Sequence, residues 1–323
     1  DEQEKAIEYM EAAYKLPHKT NELPDLAFFL GKTYLTNKNY DKATEFFTIA
    51  MDPAQGTEKS LLGEIEMLRL HAQNGKAGAA KGGKKYTITN LGAPTNTRWG
   101  ESMPVQSING SMMVYAYKGN RSLGGPRNPA GDSDPDGDYM ADMWLSYKSA
   151  GVWSSGKDLG AGINTNKNDF PLSLSADGSK LLIYRQVGKD EKSGEIYQTV
   201  LAGKRWSLPA PIPGQVNSKY WDGAASLSMD GKTLYFASSR PGGSGGKDLY
   251  SATLNDDNTW GNVKNLGNVI NSKYDETSPF IHAAGNVLYY SSKGHSSIGG
   301  FDILYSRKNG KDWSKPSNIA GGI

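Results

Sequence analysis

Two periodicities divide this chain. Up to residue 73, apolar and small residues return at helical spacing. Examples are Ala6, Met10 and Ala13, then Leu30, Gly31 and Tyr34, then Ala43, Phe47 and Ala50. Beyond residue 86 the apolar residues gather in short runs of strand length between turn signals. The most apolar runs are 112–117, 181–184, 233–237 and 287–290. Before each stands a tight-turn pair: Asn109-Gly110, Asp177-Gly178, Asp230-Gly231 or Gly285-Asn286. Asn-Gly and Asp-Gly tolerate the positive φ angles of hairpin turns.

A longer repeat organises these runs. Trp153, Trp206, Trp260 and Trp313 are spaced by 53, 54 and 53 residues. Asn164, Asn217 and Asn271 keep that period, as do Asp169, Asp222 and Asp275. A period near 50 with several short strands per unit predicts a β-propeller, one blade per repeat. In each blade strand a follows the acid, a hairpin leads to strand b, and a Gly-rich loop leads to strand c. The Trp opens strand d. The first unit is longer, 68 residues from Glu101 to Asn168, through an insertion between b and c. Four repeats are visible, with an entry phrase at Asn90-Leu91-Gly92 and an exit phrase at the end. A parent of five or six blades is normal for this pattern, and a ring of four also fits it. The d–a phrases and b–c loops share one face, which is the expected binding surface.

The first part reads as a different architecture. From Pro24 to about Thr57 the residues Leu30-Gly31, Tyr34, Ala43, Phe47 and Ala50 fit the tetratricopeptide pattern of about 34 residues. Small residues at 31, 43 and 50 let two antiparallel helices approach, while Tyr34 and Phe47 fill the gap. Residues 6–17 look like the second helix of a preceding repeat, and 58–73 like a third helix. The stretch 74–85 is small and basic, and reads as a linker or a solvated loop. The expected fold is therefore an α+β multidomain chain: a helical segment over 1–73, a linker over 74–85, and an all-β propeller over 86–323.

Composition narrows the function. Basic and acidic residues, 36 and 34, are well mixed, which gives no footprint for nucleic acid. No apolar run approaches the ~18 residues of a membrane span. There is no cysteine, so disulfides and Cys-ligated metals are excluded. The chain opens Asp1-Glu2-Gln3-Glu4 and closes inside the recurring phrase, so it is expected to be a piece of a longer protein.

Specific motifs carry a resemblance. The run Ser238-Ser239-Arg240-Pro241-Gly242-Gly243-Ser244-Gly245-Gly246-Lys247-Asp248-Leu249-Tyr250 is one. Gly299-Gly300-Phe301-Asp302-Ile303-Leu304-Tyr305 and Asn265-Leu266-Gly267…Ile270-Asn271-Ser272 are others. They resemble the WD-repeat-like, TolB-type propeller repeats of Bacteroidetes envelope proteins. With tetratricopeptide repeats in front, the chain looks like a lipoprotein type that continues into an OmpA-like domain. That family includes a component of the type IX secretion and gliding apparatus. The resemblance implies a periplasmic, outer-membrane-associated scaffold that binds envelope proteins or peptides. It implies no catalytic motif, and peptidoglycan binding only through a domain not in this sequence. A glycan- or peptidoglycan-binding or processing propeller is the alternative.

Candidate sites follow from residue type. Asp132, Asp134, Asp136 and Asp138 place oxygens at positions 1, 3, 5 and 7 of a calcium loop, with Gly137 at 6. The glutamate due at position 12 is Met143, so Asp142 is the substitute; a solvated acidic loop explains the same residues. Three sets recur by blade: Glu101, Asp169, Asp222 and Asp275; Asp142, Glu195, Asp248 and Asp302; Lys118, Arg185, Arg240 and Lys293. Repetition favours structural pairing across the loops. Gly242-Gly243-Ser244-Gly245-Gly246 matches G-x-S-x-G but lacks its strand–turn–helix setting and a histidine partner. Phe28, Lys32, Trp99, Trp221 and Arg240 are the candidate partner contacts.

Overall fold

The computed structural model describes residues 2–16, 22–52, 57–81, 87–126, 131, 137–188 and 193–319. It forms two compact units. One joins Asp1–Tyr86 with Ser291–Ser306 and Lys315–Ile323; the other joins Thr87–Tyr290 with Arg307–Ser314.

Four helices lead the first unit: α1 (Glu2–Lys15), α2 (Leu23–Thr36), α3 (Tyr40–Ala50) and α4 (Lys59–Lys81). Pro24 sits in the first turn of α2, where its missing N–H costs nothing. Asn39 caps α3 by accepting the Lys42 N–H. The α2–α3 pair is close because Gly31 has no side chain. A Cβ there would lie 2.6 Å from the Phe47 ring. Ala27, Leu30, Ala43, Phe47 and Ala50 are fully buried around that contact, and Ile65 of α4 joins them. Lys42 Nζ reaches Glu11 Oε1 at 2.7 Å and so ties α3 to α1.

The expected linker at 74–85 is corrected here. Helix α4 continues as far as Lys81. Composition suggested flexibility, but Gly75 packs against the Tyr40 ring, where a Cβ would come within 2.3 Å. The small residues are there for close approach, which composition alone does not reveal.

The strands form four antiparallel sheets. The first holds β1 (Gly100–Gln106), β2 (Met112–Lys118), β3 (Asp142–Ser149), β4 (Val152–Trp153) and β5 (Lys157–Asp158). The second holds β6 (Asp169–Leu174), β7 (Lys180–Gln186), β8 (Gly194–Ala202), β9 (Arg205–Trp206) and β10 (Ala210–Pro211). The third holds β11 (Asp222–Leu227), β12 (Thr233–Ser238), β13 (Asp248–Leu254) and β14 (Trp260–Asn265). The fourth holds β15 (Glu276–Ile281), β16 (Val287–Ser292), β17 (Asp302–Asn309), β18 (Asp312–Trp313) and β19 (Ser317–Asn318). Each is a meander, and its first strand is the inner one. β1 packs beside β6, β6 beside β11, and β11 beside β15. The architecture is a β-propeller of four blades preceded by helices.

One residue decides whether the outer strand is whole. Ser154, Ser207 and Ser314 follow their tryptophans, and each hydroxyl accepts a backbone N–H from the neighbouring strand. That bond replaces a ladder bond, and the outer strand breaks into two pieces. In the third blade Gly261 follows Trp260, and β14 runs unbroken.

The inner strands carry bulges, with register shifts at Ser102/Val105, Pro171/Ser173 and Gly223/Ala225. Met103, Ala224 and Ser278 take positive φ of 49°, 47° and 50° at matching positions. The second blade has Pro171 there, whose ring forbids that angle.

Trp260 is buried between the second and third blades with Leu182, Ile196, Ile212 and Phe236. Its N–H donates to Pro213 O and its carbonyl accepts from Gln215. Trp153 is buried with Met113, Tyr115 and Trp144. Trp206 and Trp313 are half-buried, the latter edge-on to Tyr235 at 6.2 Å. We expect Trp260→Ala to lower unfolding free energy by about 3–5 kcal/mol, from lost transfer and a residual cavity. Urea melts measure it, and an unchanged midpoint would refute the packing role.

Candidate functional site

The loop face is built from the recurring residues, and the structure shows what each does. Asn164 Oδ1 accepts the Met143 N–H at 2.8 Å, while its Nδ2 donates to Met143 O at 3.0 Å. Asn217 grips Ile196 in the same way, with both distances 2.9 Å. Asn271 grips Leu249 at 2.8 and 3.0 Å. A primary amide presents one donor and one acceptor side by side, as a strand edge does. Asparagine thus completes the sheet at the first turn of β3, β8 and β13.

Five residues later stands an acid. Asp169 accepts the Thr165 N–H at 2.7 Å and Asp222 the Ser218 N–H at 2.5 Å. Glu101 accepts the Thr97 N–H at 3.1 Å. In the fourth blade that position is Glu276, which accepts the Ser272 N–H at 2.8 Å. The sequence period had pointed to Asp275. One extra residue between Trp206 and Trp260 shifts the register, and the spacing from the clamping asparagine is the reliable ruler. Asp275 instead accepts the Lys247 N–H at 3.1 Å.

Two of these acids form buried ion pairs. Arg185 Nε lies 2.7 Å from Asp169 Oδ1, and Arg240 Nη2 lies 2.8 Å from Asp222 Oδ1. Both aspartates are fully buried. The guanidinium groups also reach the carbonyls of Ile163 and Val216. Arg240, a candidate partner contact, is therefore an internal brace. Its equivalent Lys118 pairs with Asp138 at 2.7 Å.

The acids that open the third strands close the loops. Asp142 Oδ2 accepts the Leu123 N–H at 2.7 Å. Asp248 accepts Ser244 and Gly245 N–H groups, and Asp302 accepts those of Ile298 and Gly299. Ser244, in the G-x-S-x-G lookalike, is thus one turn of a loop wrapped on Asp248. The described histidines stand in other elements: His71 in α4, His282 at a hairpin, His295 in the fourth blade's loop.

The calcium reading falls largely on Asp132, Asp134 and Asp136, which lie outside the described residues. Asp138 turns to Lys118, and Asp142 turns to Leu123. Among the described residues no group of three acidic or histidine side chains is arranged to hold a metal.

The remaining partner candidates are drawn into internal contacts. Phe28 is buried in the helical core. Lys32 Nζ lies 5.0 Å above the Phe28 ring and 3.5 Å from Glu64. Trp99 is half-buried, edge-on to Tyr139 at 5.5 Å with Arg98 over it at 4.7 Å. Trp221 carries Lys247 Nζ 4.0 Å above its ring and packs on Gly223. A groove of about 350 Å3 beside Trp221 is walled by Val187, Glu195 and Tyr220.

The opposite face holds a feature that the repeat pattern hid. The turn ends of the four inner strands surround a cavity of about 480 Å3. Ile108, Met229 and Phe280 line it while 55%, 48% and 58% exposed. Ser107, Ser175 and Ser228 also line it, but their hydroxyls are spent on Asn109, Asp177 and Asp230 in the hairpin turns. The cavity thus offers an apolar cluster beside the polar side chains of Gln106 and His282. The sequence signal was the apolar residue after each of two serines, Ile108 and Met229, in a turn that otherwise favours polar residues.

No family model matches this chain, and no curated protein matches it. Solved structures similar to it include TolB from Acinetobacter baumannii, at 16% identity and TM-score 0.42, over 68% of this chain and 43% of that one. Prolyl oligopeptidase B from Galerina marginata is similar at 13% and 0.36, over 69% and 29%. The propeller domain of the Trilobed protease from Pyrococcus furiosus is similar at 10% and 0.34, over 68% and 56%. The chain thus spans less than half the length of the first two. At TM-scores below 0.5 none of these likenesses bears on what this chain does.

Two outcomes are expected. Arg240→Ala strands the Asp222 carboxylate in a dry site, so unfolding free energy should fall by about 3–5 kcal/mol. A change below 1 kcal/mol in denaturant titration would show that water reaches Asp222. The second concerns Asp142, whose carboxyl is pushed up to about 7, first by burial and also by Asp158 and Asp169. A raised acid binds its proton more tightly folded than unfolded, so stability should decline as pH rises from about 4 to 7. Asp142→Asn should flatten that part of the stability–pH curve, and an unaltered curve would refute the assignment.

Proposed function

We propose that this chain is a non-enzymatic scaffold of the bacterial periplasm, associated with the outer membrane, that binds envelope proteins. The observation that carries the reading is the turn-face cavity with its exposed Ile108, Met229 and Phe280. Exposed apolar clusters of this kind mark binding surfaces. The recurring carboxylates, arginines and asparagines, which would otherwise suggest chemistry, are engaged in holding the loops. The ligand we assign is an apolar segment of a protein partner, held at the axis of the blades. The helices read as tetratricopeptide repeats offering a second surface. A place in type IX secretion or gliding rests on the sequence resemblance alone.

A photo-crosslinking residue at Met229 should capture envelope proteins in extracts of the native host, and Ile108→Glu should abolish the capture. The same probe at Tyr220 on the loop face is the control. Capture from Tyr220 alone would move the site to the loop face. Absence of protein capture together with saturable glycan binding would favour the carbohydrate alternative.

A further inference from the structure

Helix α4 carries one polar stripe that the proposed binding role does not use. His71, Asn74 and Gly78 fall at i, i+3 and i+7, on one helical face. Within the first unit this stripe meets the loop between β16 and β17. His71 Nε2 lies 2.7 Å from Lys293 O. Asn74 Nδ2 donates to His295 O at 2.9 Å and to Ser297 O at 2.8 Å. A Cβ on Gly78 would sit 3.4 Å from Ile298. His295 takes a positive φ of 52°, uncommon for a residue with a side chain. The loop is bent so that three carbonyls face the helix.

The chemistry of His71 is asymmetric. A carbonyl only accepts, so Nε2 carries the proton and donates it. The ring is fully buried, and Nδ1 has no hydrogen-bond partner. The neutral tautomer fits this place, because a bare Nδ1 left without a donor costs less than a charged N–H left without an acceptor. A second proton would create a buried cation whose Nδ1–H finds nothing to bond. The charged groups acting on the ring are Lys293, which opposes the added charge, and Asp302, which favours it. Asp302 already accepts the Ile298 and Gly299 N–H groups. Burial is the largest influence, and it holds the imidazole below its ordinary value of 6.5.

We propose that His71 is a pH-sensitive latch: its neutral ring holds α4 to the 293–298 loop, and protonation loosens that contact. The sign follows from linkage. Released, His71 titrates near its ordinary value, about 6.5. Closed, it titrates lower. The latch is fully closed above that ordinary value and weakens as pH falls below it, by up to roughly tenfold per pH unit. The weakening ends once the closed state is itself protonated. In a compartment that acidifies, the helices would loosen from the loop without any change in ligand.

Hydrogen exchange on the whole chain at pH 7.5 and 5.5, corrected for intrinsic rates, tests this. Peptides covering 68–78 and 293–299 should lose protection at pH 5.5 by about one order of magnitude, while the inner strands β6 and β11 keep theirs. His71→Gln keeps an N–H donor for Lys293 O and cannot take a proton, so its protection should be the same at both pH values. Equal loss in His71→Gln, or no loss in the wild type, overturns the latch. If the variant does not fold, the imidazole titration of wild-type His71 by NMR decides. A midpoint below that of an exposed histidine supports the latch, and one at or above it overturns it.

Discussion

The propeller depends on one hydrogen-bonding pattern, the two-way grip of an asparagine amide on the first residues of a third strand. A blade ends its meander at the outside, and the chain must then return to the axis. The return leaves one buried N–H of the strand without a backbone partner, while the C=O of the same residue already accepts a backbone N–H, from Leu159, Ile212 or Leu266. Such an N–H costs about 1–3 kcal/mol when its bond is unmade. Asn164, Asn217 and Asn271 satisfy that N–H and give the carbonyl its second hydrogen bond. Only the primary amide of asparagine, and of its longer homologue glutamine, sets an N–H donor and a carbonyl acceptor on one carbon. Aspartate would accept but not donate.

Everything polar on the loop face follows from that return path. The acid after the asparagine secures the phrase by its own amides, and the arginine on β7 or just beyond β12 neutralises the acid while bonding the phrase's carbonyl. The acid opening the third strand ties down the loop above it. These groups look like a catalytic or ligand constellation when read by type. In place they form a self-satisfied layer, which leaves little for a partner. The axis at the turn end is different, because the serines of its hairpin turns are used locally and Ile108, Met229 and Phe280 stand exposed there.

The helical unit obeys another constraint, close approach. Gly31 against Phe47 and Gly75 against Tyr40 bring helices nearer than any side chain would permit. The same economy places His71 and Asn74 against the carbonyls of a propeller loop. A stripe of this kind is invisible to hydrophobic periodicity, since its residues are polar or lack side chains.

The sequence by itself determined the blades. Strand-length apolar runs, Asn-Gly and Asp-Gly turns and the returning tryptophans are local signals, and local signals survive in one dimension. It also determined that the repeated carboxylates are structural, because a feature present in every blade serves the blade. It misplaced the fourth acid by one residue, since counting from tryptophan to tryptophan absorbs an insertion that counting from asparagine avoids. It took 74–85 for a linker or a solvated loop, of which 74–81 is helix, because glycine reads as flexibility unless the ring it touches is known. It offered Phe28 and Arg240 as contacts without showing that the one is buried in the helical core and the other braces Asp222, because type and position do not reveal internal partners. The apolar cavity and the His71 contact were decided by tertiary structure alone. Each joins residues tens to hundreds of positions apart, and only the packing of inner strands side by side, or of a helix on a loop, puts them within reach of one another.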